Sequence, residues 1–248
     1  MDTMNTNPAD DGQPDGKQTS KRTSAAKESQ FARRSQQQRR TETSAKLRKA
    51  TIELIAEQGY VNTTTIEIAE RAGVSRGALM HHYPAKIDLI ADSACEVWSE
   101  AISQVRLLAQ ALSRGQLDVD TFVEGVWDRV FPKSAVIMTL DLVSAAKSDE
   151  NLQERISPPL QELFEAYDQI AIQAFAETGL STEQGRVIVS LTTCMIRGLK
   201  LQELMHPDPA MSQAILDALK VMLAQTLKSR DTLSMLPVPD RLNSGVPI

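Results

Sequence analysis

Apolar positions recur along this chain at the three- and four-residue intervals of helices, and no segment alternates as a strand would. From Thr41 onward, Leu47, Ala50, Thr51, Leu54 and Ile55 fall on one face and Gly59 follows as a C-terminal cap would, which predicts a first helix over 42–58. Ile66, Ile68, Ala69 and Ala72 predict a short second helix over 65–72. Its start is marked by Thr64 with Glu67 three residues later, the spacing of a capping box. Ser75 is the expected N-cap of a third helix over 76–82, which ends before Pro84 because a residue preceding proline is biased away from helical geometry. Further helices are predicted over 87–112, 121–130, 133–147, 151–177, 182–205 and 211–230. The 133–147 segment is apolar on most faces, which predicts central burial. Pro158-Pro159 predict a kink or break in the helix that contains them.

The two ends depart from this pattern. Residues 1–38 have few large apolar side chains and are expected to form a disordered basic tail; residues 233–248, with Pro237, Pro239 and Pro247, are expected to be extended. The organisation expected between them is a small helical domain over 39–86 and a larger one over 87–232, within the reach of a 248-residue chain. No apolar run reaches the roughly 18 residues of a membrane span, and the polar start is unlike a signal peptide. A cytoplasmic protein is expected. Cys95 and Cys194 lie singly within apolar helical patterns, without metal spacing, and are expected to be small core residues.

Charge changes this picture. The net charge of −5 conceals an asymmetry: residues 17–49 carry eleven Lys and Arg against two acids, whereas residues 93–248 carry thirteen bases against twenty acids. An anionic partner is implied for the N-terminal part, by supplementary phosphate or minor-groove contact of the basic tail, although a charge run alone is equally a solvated segment.

The residues between Thr64 and Leu79 have what two short helices crossing steeply require. Ala69 is small where the second helix passes, Gly73 can take the positive φ of a tight turn, and Val74 and Leu79 fill the interface. On the third helix Leu79 and Tyr83 share an inward face, which leaves Arg76, Gly77 and Met80 to approach base edges. An Arg76 guanidinium can bond bidentately to guanine, Gly77 permits close approach, and Met80 can meet a thymine methyl. Thr64 and Thr65 suit a phosphate at the start of the second helix, and His81, His82 and Lys86 are placed for the DNA backbone.

The stretch from Leu47 to Leu89, above all Ala72-Gly73-Val74-Ser75-Arg76-Gly77-Ala78-Leu79 followed by His82-Tyr83-Pro84 and Lys86, resembles the TetR family of transcriptional regulators. It departs from that family's pattern at Met80 and His81, where an aromatic pair is common. The resemblance implies an all-α fold: an N-terminal three-helix, helix-turn-helix DNA-binding head joined to a larger helical ligand-binding and dimerisation domain. It further implies a homodimer on a palindromic operator of double-stranded DNA, released when a small-molecule effector binds, with no cofactor and no metal.

In the larger domain, Val187, Leu191, Cys194, Ile196 and Leu199, then Ile215, Leu219, Met222 and Leu223, form two apolar stripes, and the resemblance implies that this helix pair builds a four-helix bundle with its twin. Trp98, Phe122, Trp127, Phe131, Met138 and Met195 are candidate pocket residues, though such a set at helical spacing also describes plain core. Asp141 and Arg197 stand within apolar runs and need partners if buried, whether each other, a second protomer or a ligand. Glu203 and His206 have the Glu-x-x-His spacing of di-iron bundles, but no second such pair accompanies them, so no enzyme is expected. The competing readings are a helix-turn-helix regulator without an effector, controlled by a partner or acting as an activator, and an all-helical protein-interaction module.

Overall fold

The computed structural model describes Met1, residues 16–175 and residues 181–228, and the side-chain surroundings of 37–173 and 181–228. The helices are α1 (Gly16–Gln58), α2 (Thr65–Ala72), α3 (Arg76–His82), α4 (Lys86–Ser113), α5 (Val119–Gly125), α6 (Lys133–Ala145), α7 (Glu150–Phe175), α8 (Thr182–Met205) and α9 (Pro209–Lys228). A π-helical turn, Val126–Val130, follows α5 directly. No strand occurs among the described residues.

Helix α1 starts at Gly16 and not near residue 42, so residues 16–38 are helical where a disordered tail was expected. Apolar periodicity marks a buried face, whereas a helix propagates wherever the residues allow it. Between Lys17 and Gln58 there is neither glycine nor proline, and Ala, Arg, Lys, Gln and Glu predominate. Residues 2–15 and the expected C-terminal extension over 233–248 lie outside the described residues.

Lys46–Ile248 forms one compact unit and Met1–Ala45 another. Within the former, two apolar clusters are distinct. The smaller gathers Leu47, Ala50, Leu54, Ile68, Ala69, Leu79, Tyr83 and Leu89 from α1 to α4. The larger runs from Ile55 and Ile90 through α4 to α9. Leu89 and Ile90 of α4, like Leu54 and Ile55 of α1, are adjacent in sequence, buried, and face different clusters, so both helices are shared by head and body.

Helix α7 passes through Pro158 and Pro159 without interruption. Leu152, Ile156, Leu163, Tyr167 and Ile170 bury one face of it on both sides of the prolines, and this packing outweighs the lost backbone bonds. Helix α6 is less central than its composition suggests: Val136, Met138 and Leu142 are buried, but Val143 is exposed. Of the two cysteines, Cys95 is half-buried and Cys194 is exposed on α8, so neither is the fully buried core residue expected.

Candidate nucleic-acid interface and effector cavity

Local chemistry fixes the head. Thr64 caps α2: its Oγ1 accepts from the Glu67 N–H at 3.3 Å, and its own N–H donates to Glu67 Oε2 at 2.9 Å, closing the capping box. Gly73 ends the helix with φ 66°, ψ 34°, and its N–H caps the α2 carbonyls. This left-handed turn is open to glycine without strain. Ser75 Oγ then accepts from the Ala78 N–H at 3.2 Å and starts α3.

Ionic and polar links tie these short helices to longer ones. Arg71 on α2 pairs bidentately with Glu57 on α1 at 2.8 and 2.7 Å. Arg48 on α1 bonds Glu96 and, at 3.2 Å, Asp92 on α4, while the Tyr83 hydroxyl donates to the same Asp92 carboxylate. Partial burial of Arg48 disfavours its charge, but the bonds to Glu96 and Tyr83 and the fields of Glu96 and Asp92 outweigh it, and the guanidinium is held more firmly protonated than usual.

With Leu79 and Tyr83 turned inward, α3 presents Arg76, Gly77, Met80 and His81 to solvent, all exposed. Arg76 makes no hydrogen bond or ion pair with any described residue. A Cβ at Gly77 would meet nothing nearer than Ser75 Oγ at 4.0 Å, so this bare spot answers to no packing need of the head itself. His81 and His82 stand edge to face, 6.0 Å between centroids, with His82 half-buried. Thr65 is half-buried, and the Thr64 hydroxyl donates to Glu67 at 2.7 Å, so that hydroxyl is already engaged.

Lys86 has a different setting from the free phosphate ligand expected from its sequence position. Its Nζ donates to the Tyr60 carbonyl at 3.0 Å and lies 4.8 Å from the centre of the Tyr60 ring, and burial lowers its pKa. Tyr60, in the turn between α1 and α2, is held from two further directions. Its N–H donates to the Asp141 carboxylate of α6, and its hydroxyl donates to Asp149 at 2.9 Å, just before α7. Burial, then this bond, push the phenol up to about 12. Asp141 thus has its partner in the head backbone and not in Arg197.

The body contains an apolar cavity of about 50 Å³ between α4, α6, α7 and the π-helical turn, with Arg197 of α8 in its wall. Trp98, Phe131 and Arg197 are the candidate pocket residues that line it, joined by Thr139, Phe164 and Tyr167, which sequence reasoning did not single out. Tyr167 follows Leu163 by four residues on α7, but a core tyrosine would have the same spacing. The other candidates lie elsewhere. Met138 is buried in the core, Phe122 lines a second cavity of about 30 Å³ under α9, and Met195 packs against the main core. Trp127 carries the Lys200 ammonium 3.4 Å above its ring. No group of three or more His, Cys, Asp or Glu able to hold a metal occurs among the described residues, and no helix there is long and apolar enough to cross a membrane.

Residues 47–92, the head and the start of α4, match the model for bacterial regulatory proteins of the TetR family. The HTH-type transcriptional regulator CymR of Pseudomonas putida is 28% identical over 176 residues, 71% of this chain and 86% of that protein. An uncharacterised HTH-type transcriptional regulator of Mycobacterium tuberculosis is 28% identical over 201 residues, 78% of this chain and 99% of its own length. Among solved structures, a TetR-family regulator from Mesorhizobium loti superposes with a TM-score of 0.59 at 14% identity, covering 77% of this chain and 97% of that one. FadR of Bacillus subtilis, in complex with stearoyl-CoA, superposes with a TM-score of 0.52 at 20% identity, covering 71% and 96%. This all-helical chain thus carries, in its capped and glycine-turned helix pair, the DNA-binding head of the TetR family, and over most of its length it is similar to HTH-type transcriptional regulators.

Proposed function

We propose that this regulator is a cytoplasmic, homodimeric repressor that leaves a palindromic operator when a small molecule enters its body. The observation that carries this reading is the double role of α6. One face supplies Ala135, Val136, Thr139 and Leu140 to the cavity wall, and the next residue, Asp141, holds the Tyr60 N–H in the head. A ligand that widens a cavity of 50 Å³, space for only a few water molecules at roughly 10–15 Å³ for each water centre, displaces that wall and loosens the clamp.

Arg76 is the base-reading residue, with Met80 and Gly77 beside it at the groove floor. His81, His82 and the α2 N-terminus at Thr64 and Thr65 serve the phosphates. Lys86 acts chiefly as the internal tie to Tyr60 and contributes its remaining protons to the backbone at most. Dimerisation uses α8 and α9. Leu191, Leu201 and Met205 on α8 and Met211, Val221 and Met222 on α9 are large apolar residues left exposed in the protomer. Ile196, Leu199, Leu219 and Leu223 of the expected stripes are instead buried in the protomer's own core, so the contact surface is rotated from the one the sequence suggested.

Selection of bound fragments from genomic DNA, followed by footprinting and a salt series, tests this. We expect a two-fold footprint and an affinity that falls steeply with salt. Asp141→Ala should weaken binding to the selected duplex at least tenfold while the head's unfolding is unchanged. Indifference to DNA at low salt, or an Asp141→Ala protein that binds as the wild type does, overturns the reading.

A further inference from the structure

Every polar side chain that borders the main cavity offers a proton. Arg197 is the sole charged residue in its lining; its guanidinium lies 5.5 Å from the centre of the Phe131 ring and has no carboxylate partner among the described residues. The Tyr167 hydroxyl, on a residue only 6% exposed, makes no hydrogen bond with a described residue. Burial pushes this phenol up to about 12, with the Arg197 charge pulling weakly the other way, so it stays protonated and can donate. Thr139 Oγ1 accepts the Trp98 indole N–H at 3.0 Å and keeps its own proton to give. The remaining wall is apolar: Val97, Ala101, Val136, Leu160 and Leu163 among others. The acids Glu165, Asp168 and Glu183 line the wider groove between α7 and α8 and not the cavity. Asp168, in the groove between α7 and α8, is taken up by Arg186.

We propose that the cavity binds a small organic carboxylate with an apolar body, its anionic end on Arg197 and Tyr167 and its body against Trp98 and Phe131. This rests on the effector reading above and specifies its ligand. Arg197 is half-buried and has no carboxylate partner among the described residues, and an entering carboxylate supplies both the countercharge and the acceptors that the cavity wall lacks. A neutral ligand leaves that charge uncompensated, and a cationic one adds repulsion. Access is explained by the same residues: Phe164, Tyr167 and Arg197 line both the cavity and the wider groove of about 1010 Å³ between α7 and α8, so the anion meets Arg197 at the threshold.

The test is calorimetric titration of the full chain, free of DNA, with hexanoate and 3-phenylpropanoate, their amides, and the amines of equal length. The carboxylates should bind at least tenfold tighter than the amides, and the amines should not bind. Arg197→Gln should abolish that preference, Arg197→Lys should retain it within a few-fold, and Tyr167→Phe should weaken carboxylate binding several-fold, with helix content unchanged in each variant. Amides binding as well as carboxylates, an unaltered preference in Arg197→Gln, or no binding by either acid overturns the proposal. If amides or amines bind and release the selected duplex, the anion assignment fails and the effector reading stands. The effector reading itself fails if a broad library of neutral, cationic and anionic compounds leaves DNA binding unchanged.

Discussion

Head and body solve opposite problems with the same helices. The head has a small core, and it compensates with links of fixed geometry: the Thr64–Glu67 capping box, the Arg71–Glu57 fork and the Arg48–Asp92–Tyr83 knot. Its outward residues, Arg76, Gly77 and Met80, are exposed, and their side chains make no hydrogen bond or ion pair with a described residue. The body has the larger core, and its packing is incomplete. Cavities lie between its helices, and Arg197 and Tyr167 border one of them with no hydrogen bond or ion pair to a described residue. A surface that must match DNA in register profits from rigidity, whereas the effector-bound state proposed for the body requires slack that a ligand can take up. Tyr60 is where the two meet, gripped by Lys86, Asp141 and Asp149.

This contrast can be broken first in the small core. Leu79 is fully buried among eight residues, so Leu79→Ala should cost about 2–5 kcal/mol and melt the head before the body, seen as a biphasic denaturant transition by circular dichroism. A single transition with unchanged midpoint would mean that the head is not the separately stabilised unit described. On the free face the expectation is different: Arg76→Ala should leave stability intact while removing about 1–3 kcal/mol of discrimination between the selected site and one with its contacted guanine replaced. Uniform weakening on all sequences would demote Arg76 to a phosphate contact.

The smallest effect concerns the joint. The Asp149 carboxyl is held below its ordinary value by the Leu152 N–H and then by the Tyr60 hydroxyl. A carboxyl whose pKa is depressed on folding adds stability above its unfolded value near pH 4, and this is lost as pH falls through the lower, folded value. Acid unfolding of Asp149→Asn followed between pH 5 and 2 should therefore show a shallower loss of stability than the wild type, with the Tyr60 phenol no longer anchored to a carboxylate. Superimposable acid profiles would show that this bond does not contribute to the joint.

The head was legible because its signals are local. Gly73 had to turn, Ser75 and Thr64 had to cap, and each requirement involves residues within four positions of one another. The body was less so. Met138, Trp127, Phe122 and Phe131 have the same helical spacing whether they fill a core, shelter a lysine or line a cavity, and only the arrangement of whole helices separates these fates. The outer stripes of α8 and α9 failed to stand out for a related reason: both faces of these helices are apolar, so periodicity cannot tell the core face from the one left exposed. Asp141 stands out in its apolar run as a residue in need of a partner, but that partner is a backbone N–H about eighty residues earlier, which no spacing rule reaches.

The π-helical turn Val126–Val130 bears on how the cavity changes over generations. A π turn holds one residue more than the helix needs, so chain length can alter by one at this point while α5 and α6 keep their packing. Each residue gained or lost rotates the adjoining side chains by roughly 100° about the helix axis. Val130 and Phe131, which border the cavity, are the side chains re-aimed. A lineage can thus reshape this cavity by a single-codon insertion or deletion, remote from α3.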